Sequence, residues 1–193
     1  MTQPKQKVER PQPDPIARVV SSLKAGLPQT LLLAQQAPPG RPRPYTPRVG
    51  ALSEAKALLH QKTVQEIAKE RFAFPTGRYR DYKTYTNVPV RTMGVEMSNG
   101  SVAYPDIVVV QAPENFTKLL AQVEMAETVN EGVARAEWLP YAQLAPLYLY
   151  VPVGQAGTAM SLCRKLDIPI VGLRTWRYVL GYDQLEISDH YSA

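Results

Sequence analysis

"VAYPDIVVVQ" (102–111) and "LLAQVEMAE" (119–127) decide how this chain is read. Both are apolar runs of strand length, and each carries acid at one end. Asp106 opens the first run, and Glu124 stands near the close of the second. Side chains alternate along a strand, so Glu124 and Ala126 share one face and Met125 takes the other. If the two strands adjoin, Asp106, Glu124 and position 126 converge. Pro105 lacks a ladder donor, which places it at an edge, a bulge or a non-bonded position.

Working outward, Asn99-Gly100 lies between "VRTMGVEM" (90–97) and the first acid-bearing run. Asn-Gly between alternating segments predicts a hairpin with a two-residue type I′ turn. That register sets Ser98 opposite Ser101 and Met93 opposite Asp106, with Arg91 on the same face as the acid. Upstream, "SEAKALLHQKTVQEIAKERFAF" (53–74) predicts a helix closed by Pro75 and Gly77, followed by a strand "YKTYTNV" (82–88). Downstream, Thr128 and Glu131 form a T-x-x-E capping box, so a helix is expected from Val129, kinked or restarted at Pro140. "LYLYVPV" (147–153) reads as a buried strand, "GQAGTAMSLCRKL" (154–166) as a helix, and "IPIVGL" (168–173) as a strand that "RTWRYV" continues or pairs with. The expected fold is α/β, a mixed sheet flanked by helices.

Charge and proline divide the chain at residue 50. Residues 1–50 carry eight Lys/Arg against Glu9 and Asp14. "APPGRPRPYTPR" (37–48) excludes helix and central strand, because each proline lacks a donor and restricts its neighbour. Residues 1–50 are therefore expected to be a disordered, basic, Pro-rich tail outside the packed core. A short helix is predicted at 14–27, with Asp14 as N-cap and Pro15 at the first position, and it is a candidate docking element for a protein partner. Residues 51–193 form the folded domain. Within it, residues 51–91 hold eight basic against four acidic side chains, and residues 92–193 hold six against eleven. A basic tail and a basic first element can engage polyanions. No apolar run is long enough to span a membrane, the N-terminus has no apolar signal core, and Cys163 is the only cysteine. These features point to a cytoplasmic protein.

The two acids suit a hard cation. Mg²⁺ takes oxygen ligands in octahedral geometry and keeps several waters. Taken singly, an Asp opening a strand is commonly a turn residue, and a Glu before a helix favours its dipole. Together, two acids on a buried sheet need partners, because an unpaired buried carboxylate is costly. The two histidines, His60 and His190, make no zinc pattern with a single cysteine.

In its order of helix, strand pairs, "PD" opening an apolar strand, and an acid near the end of the next, the chain resembles the PD-(D/E)XK nuclease superfamily. The stretch "PDIVVV…VEMAETVNE…EW..YA…YLYVPVG…LRTWRY" is similar to bacterial restriction-endonuclease-like proteins of that superfamily, over roughly residues 53–180. The resemblance implies a restriction-endonuclease-like mixed sheet and a Mg²⁺- or Mn²⁺-dependent endonuclease acting on DNA. It implies Asp106 and Glu124 as metal ligands, with Glu66 or Glu70 on the first helix adding another acid. The family's lysine two residues after the second acid is Ala126 here, so a migrated cation is required for catalysis. Arg91 and Arg135 are the candidates, with Lys83 third. Arginine stays protonated, so it could stabilise charge but not act as base. The competing expectation is a catalytically inactive nuclease-fold binding or scaffold module that recruits nucleic acid or a protein, as monomer or homodimer. "RTWRY" (174–178) offers phosphate contacts through Arg174 and Arg177, or simply a half-buried strand. "VPVGQAGTAM" (151–160) lacks the phosphate-binding lysine and glycine spacing and reads as an ordinary strand-to-helix turn.

Overall fold

The computed structural model describes residues 34–36 and 54–192. The helix predicted at 14–27 and the Pro-rich stretch 37–48 lie outside the described residues. The tail nonetheless contributes β1 (Ala34–Gln36), which pairs antiparallel with β3 (Met93–Glu96). With β4 (Val102–Ala103) these form a three-stranded sheet.

The main sheet has six strands in the order β2 (Tyr82–Thr86), β5 (Ile107–Gln111), β6 (Phe116–Val123), β7 (Leu147–Pro152), β8 (Ile170–Val179) and β9 (Gln184–Ser192). It is mixed: β6–β7 and β7–β8 are parallel, and the remaining pairs are antiparallel. The parallel pairs require crossovers. The first is α2 (Glu131–Val133), a π-helical turn Ala134–Trp138 and α3 (Leu139–Leu144); the second is α4 (Ala156–Lys165).

Helices cover both faces, which explains why "IVVV" and "LYLYV" do not alternate with polar residues. One face packs on α1 (Glu54–Arg71), where Val64, Ile67 and Phe72 meet Ile107, Val109 and Tyr150. The other packs on the crossover helices, where Trp138, Ala159 and Cys163 meet Val108, Leu120 and Leu149. Acidic Glu54 opens α1, and Lys69 and Arg71 close it, in the sense that favours the helix dipole. No helix among the described residues is long and apolar enough to cross a membrane.

Three local expectations are corrected. The hairpin pairs Val95 with Ala103 and Glu96 with Val102, and Met97 N–H donates to the Ser101 carbonyl at 2.8 Å. The loop is therefore three residues, Ser98–Asn99–Gly100, with Gly100 in the left-handed region at φ 77°. That is the alternative solution for an Asn-Gly hairpin, and it moves the register by one residue. Second, the run 101–111 is not one strand. It breaks at Pro105 and hands the chain from the small sheet to the large one. Third, the helix after Glu124 starts at Glu131, capped by Asn130, whose side chain accepts from Val133 N–H at 3.0 Å. Thr128 instead closes the turn after β6, accepting from Met125 N–H at 2.9 Å.

Candidate functional site

β5 and β6 are antiparallel neighbours, so Asp106, just before β5, and Glu124, just after β6, meet at one end of the sheet. Both are buried, Asp106 at 2% and Glu124 at 0% exposure. What separates them is the source of their partners.

Asp106 is bonded from the α1 side. Its Oδ2 accepts from the Val123 N–H at 2.9 Å and faces His60 Nε2 at 3.2 Å. The same Nε2 lies 2.9 Å from the Val123 carbonyl. A carbonyl only accepts, so Nε2 carries the hydrogen and is shared between Val123 O and Asp106 Oδ2. His60, 2% exposed on α1, is thus a donor clamp. Its Nε2 presents no lone pair to a metal in this tautomer.

Glu124 is bonded from the crossover side. The indole N–H of Trp138 donates to its Oε1 at 2.8 Å, while its backbone is fixed on both sides. Glu124 N–H donates to the Tyr150 carbonyl at 2.7 Å, and Trp176 Nε1 donates to the Glu124 carbonyl at 3.2 Å. Gln122, 0% exposed, links the two acids' surroundings. Its Oε1 accepts from Asp106 N–H at 2.7 Å, and its Nε2 donates to Glu137 Oε2 at 2.8 Å. The π-helical turn ahead of Pro140 carries Glu137 and Trp138 together, toward Gln122 and Glu124.

Asn87, 3% exposed, ties the break at Pro105. Its Nδ2 donates to the Met93 and Pro105 carbonyls, both at 2.7 Å. Its Oδ1 accepts from Thr92 N–H at 2.8 Å and Met93 N–H at 2.9 Å. All four hydrogen-bonding positions of the amide are used, and the two sheets are joined through it.

The remaining predicted residues do not assemble with the acids. Glu66 accepts from the Tyr178 hydroxyl at 2.8 Å, and Glu70 lies 3.3 Å from Arg71 Nε. Arg135 pairs with Glu131 at 2.7 Å on the surface, with its side chain 58% exposed. Arg91 precedes β3 and stacks on Tyr104, 4.8 Å from the ring centre. Lys83 pairs with Val110 in the β2–β5 ladder, away from the Asp106 end. The strand ends at Val123, so position 126 falls in an exposed turn rather than on the face of Glu124. Arg174 is no phosphate contact either. It is 5% exposed, with Nη1 donating to the Tyr150 hydroxyl at 2.6 Å and the guanidinium 4.8 Å from the Tyr148 ring centre. Its Nε lies 2.8 Å from Asp189 Oδ1 but off the N–H direction, so the contact is ionic. Burial pushes the Tyr150 phenol well above the usual tyrosine range, against the pull of Arg174 and Arg71.

His60, Gln122 and Glu137 are the site residues that sequence reasoning missed. Gln122 carried a signal, being a lone amide inside the apolar run "LLAQV". His60 carried none, since nothing in a single sequence sets α1 against β5. Among the described residues no group of three His, Cys, Asp or Glu side chains is placed to hold a metal ion. No family model matches the chain, and comparison with curated proteins and with solved structures finds no match.

Proposed function

We propose that this chain is a nucleic-acid-binding protein on a restriction-endonuclease-like, PD-(D/E)XK-type framework, in which the acid pair is a structural strut and not a hydrolytic centre. The observation that carries the reading is the state of Glu124. It is fully buried, its Oε1 is taken by the Trp138 indole, and the residue two positions on is Ala126 in an exposed turn. A hydrolytic centre needs donors or cations aimed where charge develops on the phosphate. Arg91 and Arg135, the expected sources, are engaged with Tyr104 and Glu131. Binding of a polyanion is supported by the excess of basic residues in 51–91.

A second reading, a Mg²⁺-dependent DNA phosphodiesterase, is favoured by one observation. Asp106 and Glu124 stand across adjacent strands, with half-buried Glu137 joined to Asp106 through Gln122. Incubation of the full chain with supercoiled plasmid and single-stranded DNA, in Mg²⁺ or Mn²⁺, separates the two. The strut reading expects salt-sensitive binding with no cleavage. Cleavage that is lost in both Asp106→Ala and Glu124→Ala would overturn it.

A further inference from the structure

Six surface cations of the described chain are paired with carboxylates. Lys56 pairs with Glu127, Lys62 with Asp183, Arg71 with Glu70, Arg135 and Lys165 with Glu131, and Arg177 with Glu186. Several cations outside these pairs gather where α1 ends and β2 begins. Lys69 near the end of α1, and Arg78 and Arg80 on the turn into β2, have no carboxylate within ion-pair reach among the described residues, and all are exposed. The nearby acid Asp81 is bonded instead to the Gln111 side-chain amide. The same turn carries a ring cluster. Tyr79 lies 4.9 Å from Tyr82 and 5.9 Å from Phe74, and the guanidinium of exposed Arg78 rests 5.5 Å from the Tyr79 ring centre. Tyr82 and Phe74 pack into the core under α1, so they fix the half-exposed Tyr79 ring in place.

We propose that the turn 77–81, with the end of α1, is a binding surface for single-stranded nucleic acid. Arg78, Arg80 and Lys69 would contact phosphates, and a base would stack on Tyr79 in the position Arg78 now takes. This rests on the nucleic-acid reading above and gives it a location. Unpaired cations beside a fixed aromatic ring are what a single strand uses: charge tracks the backbone, and any base can stack. The surface lies at the far end of β2 and β5 from Asp106, because Tyr82 pairs with Gln111 and the Asn87 N–H bonds the Asp106 carbonyl. Five residues of strand separate the ends, roughly 17 Å at ~3.3 Å each. Binding there leaves the buried acids untouched.

The test is fluorescence anisotropy of the full chain with a labelled oligothymidylate of roughly 20 nucleotides, longer than a site of ~4–16, and with a duplex of equal length, across a salt series. The variants are Arg78→Ala/Arg80→Ala and Tyr79→Leu, each checked for native circular dichroism. The basic tail is the same in all proteins. The double variant is expected to bind the oligonucleotide more weakly, with a salt slope lower by about 1.4, from ~0.7 per lost phosphate contact. Tyr79→Leu is expected to weaken oligonucleotide binding by about tenfold and duplex binding far less. Wild-type affinity and slope in the double variant would overturn the location and leave the nucleic-acid reading standing. Equal loss on strand and duplex in Tyr79→Leu would overturn single-strand stacking. No binding of either probe by wild type would overturn both the location and that reading.

Discussion

The two ends of the β2–β5–β6 ladder handle charge in opposite ways. At the Asp106 end, carboxylates are buried and met by an imidazole and an indole, one from each helical layer, and by the Val123 backbone N–H. At the Tyr82 end, cations stand in water without carboxylate partners among the described residues. Physical chemistry prices these differently. A buried charge must be satisfied inside the fold, so its partners belong to the architecture. An exposed charge costs little to leave unpaired and is available to a ligand. The acids therefore inform on stability, and the basic turn on binding.

The contrast fails if the acid end can be dismantled cheaply. His60→Leu removes the donor between Asp106 and Val123 and leaves a buried carboxylate short of a partner. It is expected to cost about 3 kcal/mol, the upper range for a hydrogen bond to a buried carboxylate. Urea unfolding monitored by tryptophan fluorescence reads this, and a loss under about 1 kcal/mol would mean that the acid is not held as described. Asn87→Asp is expected to cost about 2–4 kcal/mol in the same assay, since it sets a carboxylate oxygen against the Met93 and Pro105 carbonyls that the amide now bonds. Trp138→Phe keeps most of the ring but deletes the indole donor to Glu124. A loss of about 1–3 kcal/mol is expected, the range for one hydrogen bond lost to a buried acid.

Gly172 sharpens the same point from packing. A Cβ there would stand 2.6 Å from two ring carbons of Tyr148, the residue on which Arg174 stacks. Gly172→Ala is expected to cost about 1–3 kcal/mol by overpacking. A neutral result would show that the Tyr148 ring shifts freely and that Arg174 is not fixed by it.

The helices, the buried strands and the adjacency of the acid-bearing strands were legible because each rests on local pattern. "IVVV" and "LYLYV" state burial on both faces, and turn residues bound each run. The partners of the acids were not legible, because they come from elements distant in sequence. His60 reaches Asp106 across 46 positions, and Trp176 reaches Glu124 across 52. The hairpin error has another cause. Asn-Gly fits both the two-residue turn and a three-residue turn with glycine in the left-handed region, and the chain takes the second. β9 was missed because "QLEISDHYS" is an edge strand, exposed along most of its length, and polar edge residues look like a tail.

The smallest effect concerns Cys163, on the buried face of α4. Burial pushes its thiol up to about 11, with no charged neighbour contributing. Deprotonation of the folded chain is therefore deferred well past that of the unfolded chain, whose thiol titrates near ~8.5. Between these values the unfolded state has released a proton that the folded state keeps, so stability falls as pH rises through this window and is unaffected below it. The thiolate is the reactive form, so Cys163 is expected to resist a disulfide reagent at pH 8 in the native chain and to react at once in urea. Rapid native labelling would show that this core opens readily. The fully covered sheet face on which the strut reading of Glu124 depends would then be in question, because Trp138 packs in the same cluster.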